Sequence, residues 1–433
     1  MKGGLEMENM ISESNGVCAL RMLGLDPVKY RTCLEGWGDS FVHLPENIDF
    51  LDAGAVMEYC SWGGMSRETG EMLCAAAEKV VREPALKAYL WHMFYRLKTP
   101  SFSSGCSPVS FANWPLPEPS LGPLAKTAPA LVLIGALRAA REKYRSEGYA
   151  ESMIRDTLGV YHDALENGRR KNGVCSMSLT SLNWVRVYMA ARLVQLGRFN
   201  FKLMEDFSAG IMLKNRKTGA KQLLAPGGKQ YNSRGFMLQE DDPLAEGGWT
   251  SELTETEDAW TGCPVSPEGF ALKTPRRYEK AQWEKIFSEG DIILDMHIPG
   301  GGGMTPERCI DSFRKASAFF REKYPGRFNP VILSHSWIFN TQFEKKLPES
   351  NLAKLMRECY LFPASSYGRD GMYFLFGRDD FKDLSEAPRD TSVRRAMLEI
   401  LESGERLRTG GMLLFLEDLE WFGTSYYRRN SML

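Results

Sequence analysis

What this sequence lacks narrows its reading first. Net charge is almost absent, with 54 Lys and Arg against 55 Asp and Glu. No strong field therefore draws the chain to nucleic acid or to an anionic membrane. No apolar run reaches the about 18 residues of a membrane span. The longest, PALVLIGALRAA at 129–140, soon meets charge. The nine cysteines are an odd number and show no CxxC or other zinc-ligand spacing. The first residues, MKGGLEMENM, have no apolar signal core. These absences lead us to expect a reduced, cytoplasmic protein whose thiols serve as packing residues. No metal site, nucleic-acid partner or membrane partner is expected. Histidine is scarce: His43, His92, His162, His297 and His335 are all there is.

What is present is an ordinary folded composition over 433 residues, 43% hydrophobic and 25% charged. Residues 1–150 carry apolar positions at three- and four-residue spacing, which predicts a helical domain. Residues 70–98 read as one helical run, 99–123 as a Pro- and Ser-rich loop, and 128–148 as a helix stopped by Gly148. Residues 151–433 form the second domain. Here 198–204 alternates as a strand, and 209–226 predicts a hairpin turning at Thr218-Gly219. Residues 227–276 read as a long polar loop. A strand is predicted over 291–298, a helix over 306–324 and a strand over 329–339. A helix interrupted near Pro348 follows. The segments at 360–368 and 371–381 read as a closing pair of strands, and the tail from 392 as helix broken at Gly410-Gly411. The fold class is α+β, a helical N-terminal domain followed by a mixed sheet with flanking helices.

The chemistry gathers at DMHIPGGGGMTPER, residues 295–308. Strand, tight loop, helix and strand make a βαβ unit with parallel strands. Thr305 suits the N-cap and Pro306 the first helical position. The helix start then lies just past the strand end, where free amides and the helix dipole favour an anion. Glycines let a phosphate approach the backbone closely. The Walker pattern fails because no Lys follows the glycines, and GxGxxG fails at Thr305. The spacing H-x-x-G-x-G, formed by His297, Gly300 and Gly302, remains. It resembles the Q/R-x-x-G-x-G/A pyrophosphate loop of the GNAT N-acetyltransferases, with His297 standing where Arg or Gln is usual.

The stretches WPLPEPSLGPLA, LNWVRVYMAARLVQLGRFNFKL, ETEDAWTGCPVSPEGFAL, LDMHIPGGGGMTPERCIDSFRKASAFF and SHSWIF lie within about 114–340. They resemble a bacterial acyltransferase family with a helical N-terminal domain and a GNAT-like C-terminal domain. The family often has His in the TG-x-P segment, where this chain has Cys263. The resemblance implies a GNAT-like mixed, mostly antiparallel sheet and coenzyme A or acetyl-CoA as acyl donor. It also implies transfer to a small-molecule amine or peptide acceptor. In that fold the two parallel strands splay and the pantetheine arm lies in the gap. Met296, His297 and Ile298 would then line the arm, and Gly300, Gly301, Gly302, Gly303, Met304 and Thr305 the pyrophosphate. Trp337 would border the acyl pocket.

Direct attack by an amine needs proximity and proton transfer. Asp295, His297 and His335 are the candidates for that transfer, since His titrates near neutrality. The plain alternatives are that His297 only orients the loop, His335 is a buried core histidine and Asp295 a structural carboxylate. Tyr367 is a further possible acid. Cys309 sits on the apolar stripe of its helix and is set aside; Cys263, in the polar segment, stays open as a nucleophile. The rival to an acyltransferase is a non-catalytic CoA-sensing or partner-binding module on the same fold.

Overall fold

The computed structural model describes residues 15–99, 110–205, 209–239, 242, 244 and 246–433. Its contacts divide the chain into two units, Met1–Val194 and Gln195–Leu433. The first is helical. Asp52 caps α1 (Ala53–Trp62) by accepting from the Ala55 amide, and Ser66 caps α2 (Arg67–Arg82) through the Thr69 amide. Pro84 opens α3 (Pro84–Lys98), so the run at 70–98 is two helices rather than one. The central helix α4 (Ala128–Ser146) is buried without a break from Ala128 to Leu137. The segment Glu118–Ser146 is apolar and long enough to span a membrane, but 72% of its apolar window is buried, as in a core helix. Two further long helices, α5 (Glu151–Asn172) and α6 (Ser181–Met189), follow.

The divide falls after Val194 rather than at 150. The reason is packing: both α5 and α6 lie against α4. Tyr144 on α4 also donates to the Leu193 carbonyl, and the Tyr161 and Tyr188 rings meet at 5.1 Å.

The second unit is built on a six-stranded sheet. Its strands are β1 (Val194–Leu196), β2 (Phe199–Met204), β3 (Ile293–His297), β4 (Val331–Ser336), β5 (Tyr360–Pro363) and β6 (Gly410–Phe415), in the spatial order β1-β2-β3-β4-β6-β5. Only β3 and β4 run parallel, joined by α7 (Pro306–Lys323), whose buried face carries Cys309, Ser312, Phe313, Ala316 and Phe320. The mixed, mostly antiparallel sheet with flanking helices is as expected.

Three local expectations differ from the structure. Residues 227–276 are not one loop: they hold strands of two to four residues, such as Ala259–Gly262 and Pro264–Ser266. The latter joins the hairpin Ile211–Asn215 and Lys221–Leu224 in a second sheet. Strands this short leave no room for an alternating pattern to show. Residues Met372–Phe376 form a helix, and β5 pairs instead with β6, a strand in the segment that had read as helix. All six residues of β6 are buried in the sheet, and a continuous apolar run looks the same in a buried strand as in a buried helix. Its two glycines are needed there. A Cβ on Gly410 would sit 2.1 Å from the Phe339 carbonyl oxygen, and one on Gly411 2.1 Å from the Phe362 ring.

Candidate active site

The parallel pairing of β3 and β4 is short. It joins Leu294 to Ile332 and Asp295 to Leu333 and then stops, although β3 continues to His297 and β4 to Ser336. Beyond Asp295 each strand keeps only its outer neighbour. His297 lies opposite Asn200 of β2, and Ser336 opposite Gly410 of β6. The strands therefore part toward their carboxyl ends and leave a gap whose edges are main-chain groups.

The side chains sort by strand alternation. Leu294 and Met296 point into the core, so Met296 offers the gap only its backbone. Asp295 and His297 share the other face, with His297 Nε2 2.8 Å from Asp295 Oδ2. Lys202, directly across the β2–β3 pair from Asp295, brings its Nζ to 3.3 Å of the same oxygen. Burial works to raise the Asp295 pKa. His297 and Lys202 outweigh it, and the carboxyl is held below its usual range. His335, on β4, is open to solvent yet densely surrounded by protein, as at the floor of a cleft. That crowding lowers its pKa, while the Asp295 carboxylate pulls the other way. The His335 ring stands edge-on to Phe362 at 5.1 Å.

The strand ends at Ser336 rather than at 339 as expected, so Trp337 lies outside it. It opens a 3-10 turn, Trp337–Phe339. Its ring stacks near Phe374 at 6.3 Å and covers Gly371, where a Cβ would come within 2.7 Å of the indole. Tyr367 is 82% exposed.

In the glycine loop, Gly301 and Gly302 have φ of +75° and +56°, which other residues adopt only with strain. Around Gly300, Gly301 and Gly303 there is open space where side chains would be. Thr305 occupies the N-cap of α7, but its side chain accepts no amide there. Arg308, one turn in, lies over the loop: a Cβ on Gly302 would come 3.0 Å from both of its terminal nitrogens. Cys309 is buried, which pushes its thiol up to about 12, and burial also raises the Cys263 thiol. Neither is poised as a thiolate.

Two cavities lie away from this gap. One of about 360 Å³ is lined by Glu268, Phe270, Arg428 and Leu433, and one of about 510 Å³ in the helical unit by Phe50, Trp91, Phe94 and Arg138. A gap between parting strands is an open groove, so it encloses little volume.

Residues 193–413 match the family model of the GNAT-like C-terminal domain, and residues 55–189 that of the N-acyltransferase N-terminal domain. The chain belongs to this acyltransferase family. No curated protein matches the acyltransferase in sequence. Three similar solved structures share 18% identity with it and are covered over 99% of their own length. One is an acyltransferase in complex with decanoyl-CoA and teicoplanin (TM-score 0.59, 93% of this chain). Another is an acyltransferase in complex with CoA and 10C-teicoplanin (0.58, 93%). The third is an acyltransferase mutant in complex with octanoyl-CoA (0.58, 92%). At that identity the likeness is one of fold.

Sequence reasoning missed Lys202, which lies beside Asp295, and Arg308, which lies over the glycine loop. Inward Phe199, Phe201 and Leu203 left Asn200 and Lys202 on the other face of β2. Only the register with β3 turns that face toward Asp295 and His297.

Proposed function

We propose that the acyltransferase carries an acyl group from a coenzyme A thioester to the amine of a small-molecule or peptide acceptor, in the groove between β3 and β4. One observation carries this reading: parallel pairing ends at Asp295 and Leu333, just ahead of a left-handed glycine turn and an uncapped helix start. Backbone groups of Met296, His297 and Ile298 are available to the pantetheine amides. Gly300 to Gly303, Met304 and Thr305 offer the pyrophosphate a concave, amide-lined seat. Trp337, with Phe374, borders the acyl chain. The bound octanoyl and decanoyl groups of the similar structures favour a chain longer than acetyl, and the bound teicoplanin favours a small-molecule amine.

The amine nitrogen attacks the thioester carbonyl, a C–N bond forms, and the C–S bond breaks. His297 takes the amine proton and Asp295 steadies the imidazolium, as a carboxylate does in catalytic triads. That proton is then available to the departing thiolate. His335, kept neutral by its lowered pKa, is a second acceptor on the opposite wall.

Thiol release from acetyl-, octanoyl- and decanoyl-CoA over an amine panel tests the reading. Thiol and N-acyl product in equal amounts are expected. CoA binding with no thiol from any amine would instead support a CoA-sensing module. Thermal stabilisation by ATP or NAD alone would exclude both.

A further inference from the structure

Arg198 stands in the turn between β1 and β2, against the start of α7. A Cβ on its neighbour Gly197 would lie 3.3 Å from the Ser312 Cα, and Ser312 Oγ receives the Phe199 amide and donates to the Leu196 carbonyl. Because Asn200 faces His297 across the antiparallel pair, two further steps bring Arg198 level with Pro299, the residue before the glycines. Its side chain is 8% exposed, and its buried Nε has no hydrogen-bond partner. Burial lowers its pKa, and Arg308 lowers it further, so the two guanidiniums feel one another. Among the described residues neither makes an ion pair, and Phe199 is the ring beneath Arg198 at 5.6 Å. Two mutually repelling cations, one of them buried, cost the unliganded fold free energy. Such an arrangement persists when an anion settles between them.

We infer that Arg198 and Arg308 form a two-guanidinium clamp on the phosphates of the acyl donor, closing over the glycine loop from the β1–β2 turn and from the first turn of α7. The clamp rests on the coenzyme A reading above. It supplies the cationic contact that His297 does not, and its planar donors suit paired phosphate oxygens. The carboxylates on this part of α7 are Glu307 in its first turn and Asp311, whose Oδ2 would lie 3.3 Å from a Cβ on Gly197; Asp311 is already paired with Lys315.

Calorimetry on the full chain tests this with CoA, dephospho-CoA and pantetheine against wild type, Arg198→Gln and Arg308→Gln. Each variant is expected to weaken CoA by about ten- to a hundredfold and to leave pantetheine unchanged. An equal loss for dephospho-CoA assigns the clamp to the pyrophosphate, and a loss for CoA alone to the 3′-phosphate. The unliganded melting temperature of Arg198→Gln should hold or rise while its CoA-induced shift shrinks, and inorganic pyrophosphate should compete with CoA in wild type only. A lower unliganded melting temperature with an undiminished CoA shift would make Arg198 structural and overturn the clamp. Wild-type affinity for CoA in both variants would also overturn it, leaving the coenzyme A reading intact. Failure of wild type itself to bind CoA would remove both.

Discussion

The two units use histidine in opposite ways. In the helical unit His92 is fully buried, with Nε2 donating to the Cys33 carbonyl at 2.9 Å and Nδ1 2.6 Å from Ser40 Oγ. Trp37 and Trp114 flank its ring at 4.7 and 5.3 Å. His162 is likewise enclosed, with Nε2 3.0 Å from the Tyr59 hydroxyl. Burial drives their pKa values down to about 3 and about 4, so both stay neutral. In the GNAT-like unit His297 and His335 face the groove and share the influence of one carboxylate. A histidine with every nitrogen satisfied by a closed core stabilises a fold. One that keeps access to solvent and a charged neighbour is equipped to move a proton.

The groove side of this comparison breaks most sharply at Gly301. Gly301→Asp places a side chain at positive φ and a negative charge where the pyrophosphate would lie. Its CoA affinity, read by calorimetry, is expected to fall by more than about a hundredfold, since like charges in a site cost several kcal/mol. His297→Ala should lower kcat by about a hundredfold or more while leaving the melting temperature almost unchanged. His92→Ala is its counterpart: about 2–4 kcal/mol of stability lost in denaturant unfolding, with the kcat of the folded fraction intact.

Acid separates the units next. Below the ordinary histidine pKa of 6.5 the unfolded chain takes protons that folded His92 refuses down to about 3. Stability conferred by the neutral core histidines is therefore whole above about pH 6.5 and falls as pH drops toward 3. For His92 the loss is on the order of 5 kcal/mol at most. Circular dichroism melts between pH 7 and 4 should show it, and His92→Gln should flatten the dependence. The smaller effect is Lys202→Met. Removing that cation lets the Asp295 pKa rise, by about one unit or less, which the Asp295 carboxyl resonance followed by NMR against pH should show. Cys263→Ser should change kcat by less than about twofold, because its buried thiol is not a thiolate.

Much of this was legible in the chain. The glycine run, the Pro306 helix start and the strands on either side were marked by local patterns that depend only on neighbours: apolar spacing, a proline at the first helical position, glycines at the turn. That Asp295 and His297 share one strand face followed from alternation, whereas their 2.8 Å contact needed the structure. What was not legible depends on register and on distant partners. Nothing local distinguishes GGMLLF as a strand between β4 and β5, because an apolar run pairs wherever the sheet has a place for it. The end of pairing at Asp295 and Leu333 is likewise a property of two strands together. Lys202 reaches Asp295 only through the antiparallel register with β3, across an insertion that carries a second sheet. Trp337 left the predicted strand because Ser336 turns the chain, accepting the Ile338 amide.

The central claim is that the parted strands and the glycine turn hold the acyl donor. Hydrogen exchange of the full chain with and without CoA tests it most directly. The account predicts slowed exchange at the amides of 296–298 and 300–308 on binding, with the helices of the first unit unchanged. CoA binding that leaves those amides exchanging at their unliganded rates would contradict it.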